Sequence, residues 1–133
     1  MARAKATIGA AHYAVAIEAG GHRIVSDEPA ARGGGNAGAS PYDLLLASLA
    51  ACTAITLRMY GERKQWDLKT VSVDVRYFRE GDSERIERRL GLEGSLSEEQ
   101  RARVAEIAER TPVTLTLKRG LPIVTQLEPP PSS

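Results

Sequence analysis

Cysteine is almost absent from this sequence, and so are aromatic residues and any surplus of one charge. A single cysteine, Cys52, stands among 133 residues. It excludes an intrachain disulfide and every metal site built from several cysteines. His12 and His22 are the only histidines, too few to complete a structural zinc centre with it. One cysteine also argues against a small secreted scaffold and fits a reducing cytosol, so a cytoplasmic location is expected. No cofactor motif is visible. Aromatics make up 5% of the chain, too little for a base-stacking platform. Lys and Arg number 18 against 17 Asp and Glu, a net charge of +1. That balance offers neither nucleic acid nor an anionic membrane an electrostatic hold. The arginines at 85, 88, 89, 101, 103 and 110 alternate with glutamates, the pattern of an ion-paired, solvated face.

The N-terminal Met1–Ala6 is basic but no apolar segment follows it, so no targeting signal is expected. The longest apolar run, Leu44 to Leu57, has 14 residues, which is short for a bilayer and suits a buried helix. There is no internal repeat. The expectation is one domain over residues 1–128 and a disordered tail over 129–133.

What is present reads as α+β. Tyr13–Ile17 and His22–Val25 are two extended runs joined by Gly20-Gly21, a hairpin. Residues 28–40 form a loop rich in glycine. Gly33-Gly34-Gly35 lacks the Lys-Ser/Thr of a phosphate-binding loop, so a flexible surface connection is expected. Ser40-Pro41-Tyr42-Asp43 then carries a complete helix start. Serine can accept the Asp43 amide, proline fits the first turn, and the Asp43 carboxylate can reach back. The helix that follows is apolar nearly all round until Arg58, so it must be covered on most sides. A domain this small can hardly cover it alone, which makes a second copy plausible. Residues 69–79 alternate as a half-buried strand. Residues 85–93 give another, with Ile86, Leu90 and Leu92 in phase and Arg88 out of place. A second helix starts at Ser97, with Gln100 as capping partner and Val104, Ile107, Ala108 and Thr111 as its inner stripe. Val113–Leu117 is open between strand and helix. Pro122–Leu127 reads as a last strand.

Cys52 lies inside the long helix. The plain reading of a free cysteine there is a small core residue. Thr53 and Thr56 beside it show that the helix is not uniformly greasy. Asp43 is about 13 Å away along the axis, so any acid or base on the thiol must come from another segment.

The run Gly38–Thr53, with Ala-Ser-Pro-Tyr-Asp-Leu-Leu-Leu-Ala-Ser-Leu-Ala-Ala-Cys at its centre, resembles the cysteine helix of the OsmC family, which includes the organic hydroperoxide resistance (Ohr) proteins. Asp27-Glu28-Pro29, Thr56–Tyr60 with Arg63, Lys64 and Trp66, and Glu109–Val113 extend the likeness over nearly the whole chain. The resemblance implies an OsmC-like α+β fold in an intertwined homodimer, with a site at the subunit interface. It implies that Cys52 attacks a hydroperoxide and becomes a sulfenic acid. In relatives a second cysteine before Pro-Val resolves that acid, and here Thr111 holds its place. An external thiol would then be the resolver. The family's anchoring glutamate falls on Tyr42, with Asp43 one residue on as a stand-in. The activating arginine has no firm motif; Arg32 and Arg23 are the candidates. The resemblance thus points to Cys52, Asp43 and Arg32 as catalytic and to Tyr42 and Thr111 as substrate-binding. The function expected is a thiol-dependent peroxidase of the stress response. The alternative is a non-catalytic protein of the same fold that binds a small apolar ligand at its interface.

Overall fold

The structure is a computed structural model that describes residues 2–10 and 12–131. The elements run β1 (Ala4–Ile8), β2 (Val15–Ala19), β3 (His22–Ser26), a 3-10 turn (Ala30–Arg32), α1 (Pro41–Lys64), β4 (Thr70–Glu80), β5 (Ser83–Glu93), α2 (Glu98–Ala108) and α3 (Pro112–Arg119). The class is α+β, as expected. Strands β1, β2 and β3 make one antiparallel sheet, and β4 and β5 make a second.

The hairpins form where the turn chemistry puts them. Ala19 pairs with His22 across Gly20-Gly21, whose φ values are +57° and +84°. A two-residue turn with positive φ at both centres matches the twist of its strands, and glycine reaches it without strain. β1 is an addition: its Ala-Lys-Ala-Thr-Ile is exposed throughout and carries no alternation to read.

α1 begins at the expected capping box. Ser40 Oγ accepts the Asp43 amide at 3.2 Å, and Asp43 Oδ2 accepts the Ser40 amide at 3.1 Å. The helix runs 24 residues, longer than its apolar run, and by length and composition it could cross a membrane. Its Leu49, Thr53, Leu57 and Gly61 instead form a buried stripe, each four residues from the last. Leu57, Val104 and Ala108 are the centre of the core, ringed by Trp66, Val71, Leu90, Leu92 and Ile107. The core therefore lies between α1, the β4–β5 hairpin and α2.

Of two C-terminal stretches, the one left open settles as a helix and the other departs from expectation. Val113–Leu117 is helical: Pro112 at the first position presets the helical φ and needs no hydrogen-bond partner. Pro122–Leu127 is not a strand. It is irregular, with Ile123 89% and Leu127 98% exposed, and among the described residues no strand pairs with it. An apolar run becomes a strand only beside a sheet edge that accepts its hydrogen bonds. Pro129–Pro131 is exposed and irregular, and the rest of the expected tail, 132–133, lies outside the described residues.

The glycine loop is held rather than loose. The buried Asp27 carboxylate accepts the amides of Glu28 at 2.7 Å, Gly35 at 3.2 Å and Ala37 at 3.1 Å. Ser26 Oγ donates to Ala39 O at 2.8 Å. A Cβ on Gly34 would stand 2.0 Å from the Glu28 carbonyl oxygen, so the chain can pass there only as glycine. The loop amides of Gly35 and Ala37 bind a carboxylate of the same chain and are not free to cradle a phosphate. These hydrogen bonds, Ala37 first, hold the Asp27 carboxyl below its ordinary value near 3.8. A folded-state pKa below the unfolded one adds stability above the unfolded value and loses it as pH falls through the folded value. Asp27→Asn should be less stable than wild type at neutral pH. Its urea midpoint should also fall less steeply on acidification from about pH 5, as read by circular dichroism.

Candidate active site

The buried stripe of α1 fixes where Cys52 points. One residue before Thr53, its side chain is turned by about 100° from the stripe. It is a free thiol, half-buried, with Thr56 Oγ1 4.0 Å from Sγ. From the far side the Val113 amide donates to Sγ at 3.5 Å. Val113 lies in the first turn of α3, where amides have no partner inside their own helix. Such a helix start favours negative charge on whatever faces it.

The sequence makes this approach by breaking the chain after α2. Thr111 has an extended backbone at φ −69°, ψ 153°, and Pro112 starts the next helix at once. Thr111 is fully buried, and its hydroxyl lies 2.6 Å from that of Thr114. It thus sits at the α3 N-terminus beside the segment that reaches the thiol, but it carries no sulfur.

Arg88 holds these parts together. It lies on β5 in phase with Ile86, Leu90 and Leu92, facing the interior, and its side chain is only 11% exposed. Nη1 donates to Thr53 Oγ1 at 3.0 Å and to Thr114 Oγ1 at 2.9 Å. Nη2 donates to the Ala108 carbonyl at 2.9 Å and to Glu109 Oε2 at 3.1 Å. One guanidinium therefore joins α1, the end of α2 and α3. The other Glu109 oxygen takes Lys118 Nζ at 2.9 Å. Lys118 first, and Arg88 after it, hold the Glu109 carboxyl below its usual range. Thr53 in turn donates to the Leu49 carbonyl at 2.7 Å. Among the described residues no buried side-chain nitrogen or oxygen is left without a partner.

The other expected residues are distributed differently. Asp43 is exposed and engaged in the capping box at the start of α1. Arg32 is exposed on the 3-10 turn, and Arg23 is exposed on β3 opposite Glu18. Among the described residues no hydrogen bond joins Asp43, Arg32 or Arg23 to Cys52. Tyr42 stacks on Tyr77 with ring centroids 4.6 Å apart. The Tyr77 hydroxyl donates to Glu84, and that carboxylate pushes the phenol above its ordinary pKa. Tyr42, Tyr77, Arg88, Glu109, Thr114 and Lys118 all line a cleft of about 800 Å³. Cys52 does not line it; the cleft meets the thiol's surroundings through Arg88 and Thr114. Arg88 is not among the site residues that the sequence points to. Its signal was the one arginine in phase on an apolar strand face. Thr53→Val keeps the shape but removes an acceptor of Arg88 and the donor to Leu49. It should lower stability by about 1–3 kcal/mol in urea unfolding.

The OsmC-like protein family matches residues 33–126. Among solved structures, an OsmC-like protein from Mycoplasma pneumoniae superposes with a TM-score of 0.77 and 19% identity, covering 89% of this chain and 87% of that one. A Legionella pneumophila protein described as an organic hydroperoxide resistance protein OsmC superposes at 0.67, with 21% identity and 89% of each chain covered. The organic hydroperoxide resistance protein OhrB of Bacillus subtilis superposes at 0.60, with 21% identity, covering 87% of this chain and 90% of that one. No curated protein sequence matches the chain. The family match spans more than half of the sequence, and the fold and the cysteine helix agree with it: the chain belongs to the OsmC-like family.

Proposed function

We propose that the protein is a cytoplasmic thiol-dependent peroxidase of the stress response, acting on organic hydroperoxides through Cys52. The observation that carries this reading is the Val113 amide aimed at Sγ. It places a hydrogen-bond donor and a helix start on a sulfur that is only half-buried. The thiolate attacks the terminal peroxide oxygen. The O–O bond breaks, Sγ becomes a sulfenic acid, and the alkoxide leaves and takes up a proton as the alcohol. Thr111 offers no local thiol. A small external thiol therefore condenses with the sulfenic acid and releases water. A second thiol then displaces Cys52 as a thiol and leaves as the disulfide.

The same reading makes the working unit a homodimer. The chain exposes 10365 Å². A compact monomer of 14.3 kDa exposes roughly 6,800 Å². The excess per chain is more than the roughly 1,000–2,500 Å² that each partner of an obligate pair ordinarily gives up, and the exposed segment from Leu121 to Leu127 accounts for part of it. Ile55 and Met59 on α1, 55% and 58% exposed, belong to the face that a second copy covers. Arg32 serves the thiol in this account only across that dimer, whereas Asp43 acts by capping α1.

The 800 Å³ cleft, whose lining omits Cys52, favours the second reading, in which the fold binds a small apolar ligand without catalysis. Cys52→Ser would then leave ligand binding intact.

Under excess cumene hydroperoxide, intact mass should show one added oxygen. A sulfenic-acid trap such as dimedone should label Cys52. Absence of any oxidation at Cys52 overturns the peroxidase reading. Thr111→Cys should convert the product to an intrachain disulfide with Cys52, seen as a mass loss of two hydrogens. Light scattering should give twice the chain mass, and Ile55→Asp with Met59→Asp should shift it toward the monomer.

A further inference from the structure

Resting on the reading of Cys52 as the reacting thiol, we infer that Arg88 is its positioning residue, a guanidinium clamp that holds the α3 start against α1 so that the Val113 amide meets Sγ. Arginine on the apolar face of a strand is costly, because a buried cation loses its hydration. Here both terminal nitrogens of the fork find two acceptors each, and the four acceptors come from three helices and the connection between two of them. Two of them flank the thiol contact in sequence. Thr53 follows Cys52 on α1, and Thr114 follows Val113 on α3. A single plane of nitrogens bonded to both residues sets the spacing between the thiol and the amide one position away.

The Ala108 carbonyl belongs to the last turn of α2, where carbonyls have no partner in their own helix. Its bond to Nη2 fixes where α2 stops and therefore where α3 begins. Among the described residues the only carboxylate on the fork is Glu109, whose side chain is 61% exposed and shared with Lys118 on α3. Arg88 is by contrast nearly buried, so its positive charge is incompletely offset on the interior side, next to Thr53. Tyr42 on α1, Tyr77 on β4, and Glu84 and Arg85 on β5 are the remaining titratable groups lining the same cleft; Tyr77 bonds Glu84 and Arg85 pairs with Glu87. Lysine cannot replace the fork. Its single ammonium keeps the charge but cannot span two hydroxyls, a carbonyl and a carboxylate in one plane.

The test reads the thiol without requiring turnover. Iodoacetamide alkylation of Cys52 is followed by mass from pH 5 to 10 in wild type, Arg88→Met, Arg88→Lys and Thr114→Val, each with its thermal midpoint recorded. In Arg88→Met the pH midpoint of alkylation should rise, and the rate at pH 7 should fall at least tenfold. Arg88→Lys should recover thermal stability more than rate. Thr114→Val keeps charge and nearly the same volume but removes an acceptor of Arg88, the partner of the Thr111 hydroxyl and a donor to the Ala108 carbonyl; it should lower the thermal midpoint without unfolding the protein at room temperature, and slow alkylation at pH 7 severalfold. An unchanged pH profile in folded Arg88→Met overturns the inference. Where that variant does not fold, an unchanged profile in Thr114→Val does so. Failure of wild type to react with hydroperoxide would overturn the peroxidase reading instead, and leaves the alkylation profiles to decide on Arg88.

Discussion

A single, nearly buried guanidinium ties the middle of α1 to the end of α2 and the start of α3. Arg88 reaches Thr53 on α1, the last carbonyl of α2, and Thr114 on α3, with Glu109 as its counterion. Everything near Cys52 depends on that registration. The thiol is fixed on α1 by the stripe Leu49–Thr53–Leu57, which buries against the core. The amide facing it is fixed on α3, a separate segment more than 60 residues along. Two rigid helices placed by one set of hydrogen bonds give a contact that neither helix specifies alone. Buried polar networks of this kind specify geometry strongly when every member is satisfied, as they are among the described residues.

The glycine loop shows the same economy of means on the other side of α1. Asp27 binds three backbone amides, Gly34 and Gly38 allow backbone to pass close to Glu28 and Val25, and Ser26 ties down Ala39. The chain therefore enters the Ser40 cap from a fixed direction. Capping box, apolar stripe and thiol follow in order along one straight element. Much of its remaining apolar surface lies open in the single chain, as does the segment from Leu121 to Leu127. Those surfaces are what a second copy would cover in the proposed dimer.

Much of this architecture was legible in the sequence. Ser40 with Asp43, Gly20-Gly21, and the alternation from Val71 to Tyr77 are local signals, and each formed the element it implied. The misses were non-local. β1 has no alternation, so only its pairing with β2 makes it a strand. Pro122–Leu127 has strand composition and no partner edge among the described residues. Arg88 stood out as an arginine among in-phase apolar residues, but its partners are 35 and 26 positions away in Thr53 and Thr114. The donor to Cys52 is a backbone amide, which side-chain patterns never show. Asp27 was visible as part of a motif, while its hold on Gly35 and Ala37 required the folded loop.

The chemistry assigned to Cys52 differs from that of a two-cysteine cycle in one consequential way. Thr111 stands where a resolving thiol would be, so under the proposed reaction the oxidised form would wait for a thiol from solution and be exposed meanwhile to further oxidation. The most direct measurement is steady-state consumption of cumene hydroperoxide with dithiothreitol as reductant, comparing wild type with Cys52→Ser. The account predicts catalytic turnover in wild type that saturates with thiol and background consumption in Cys52→Ser. Equal rates in the two proteins would contradict it.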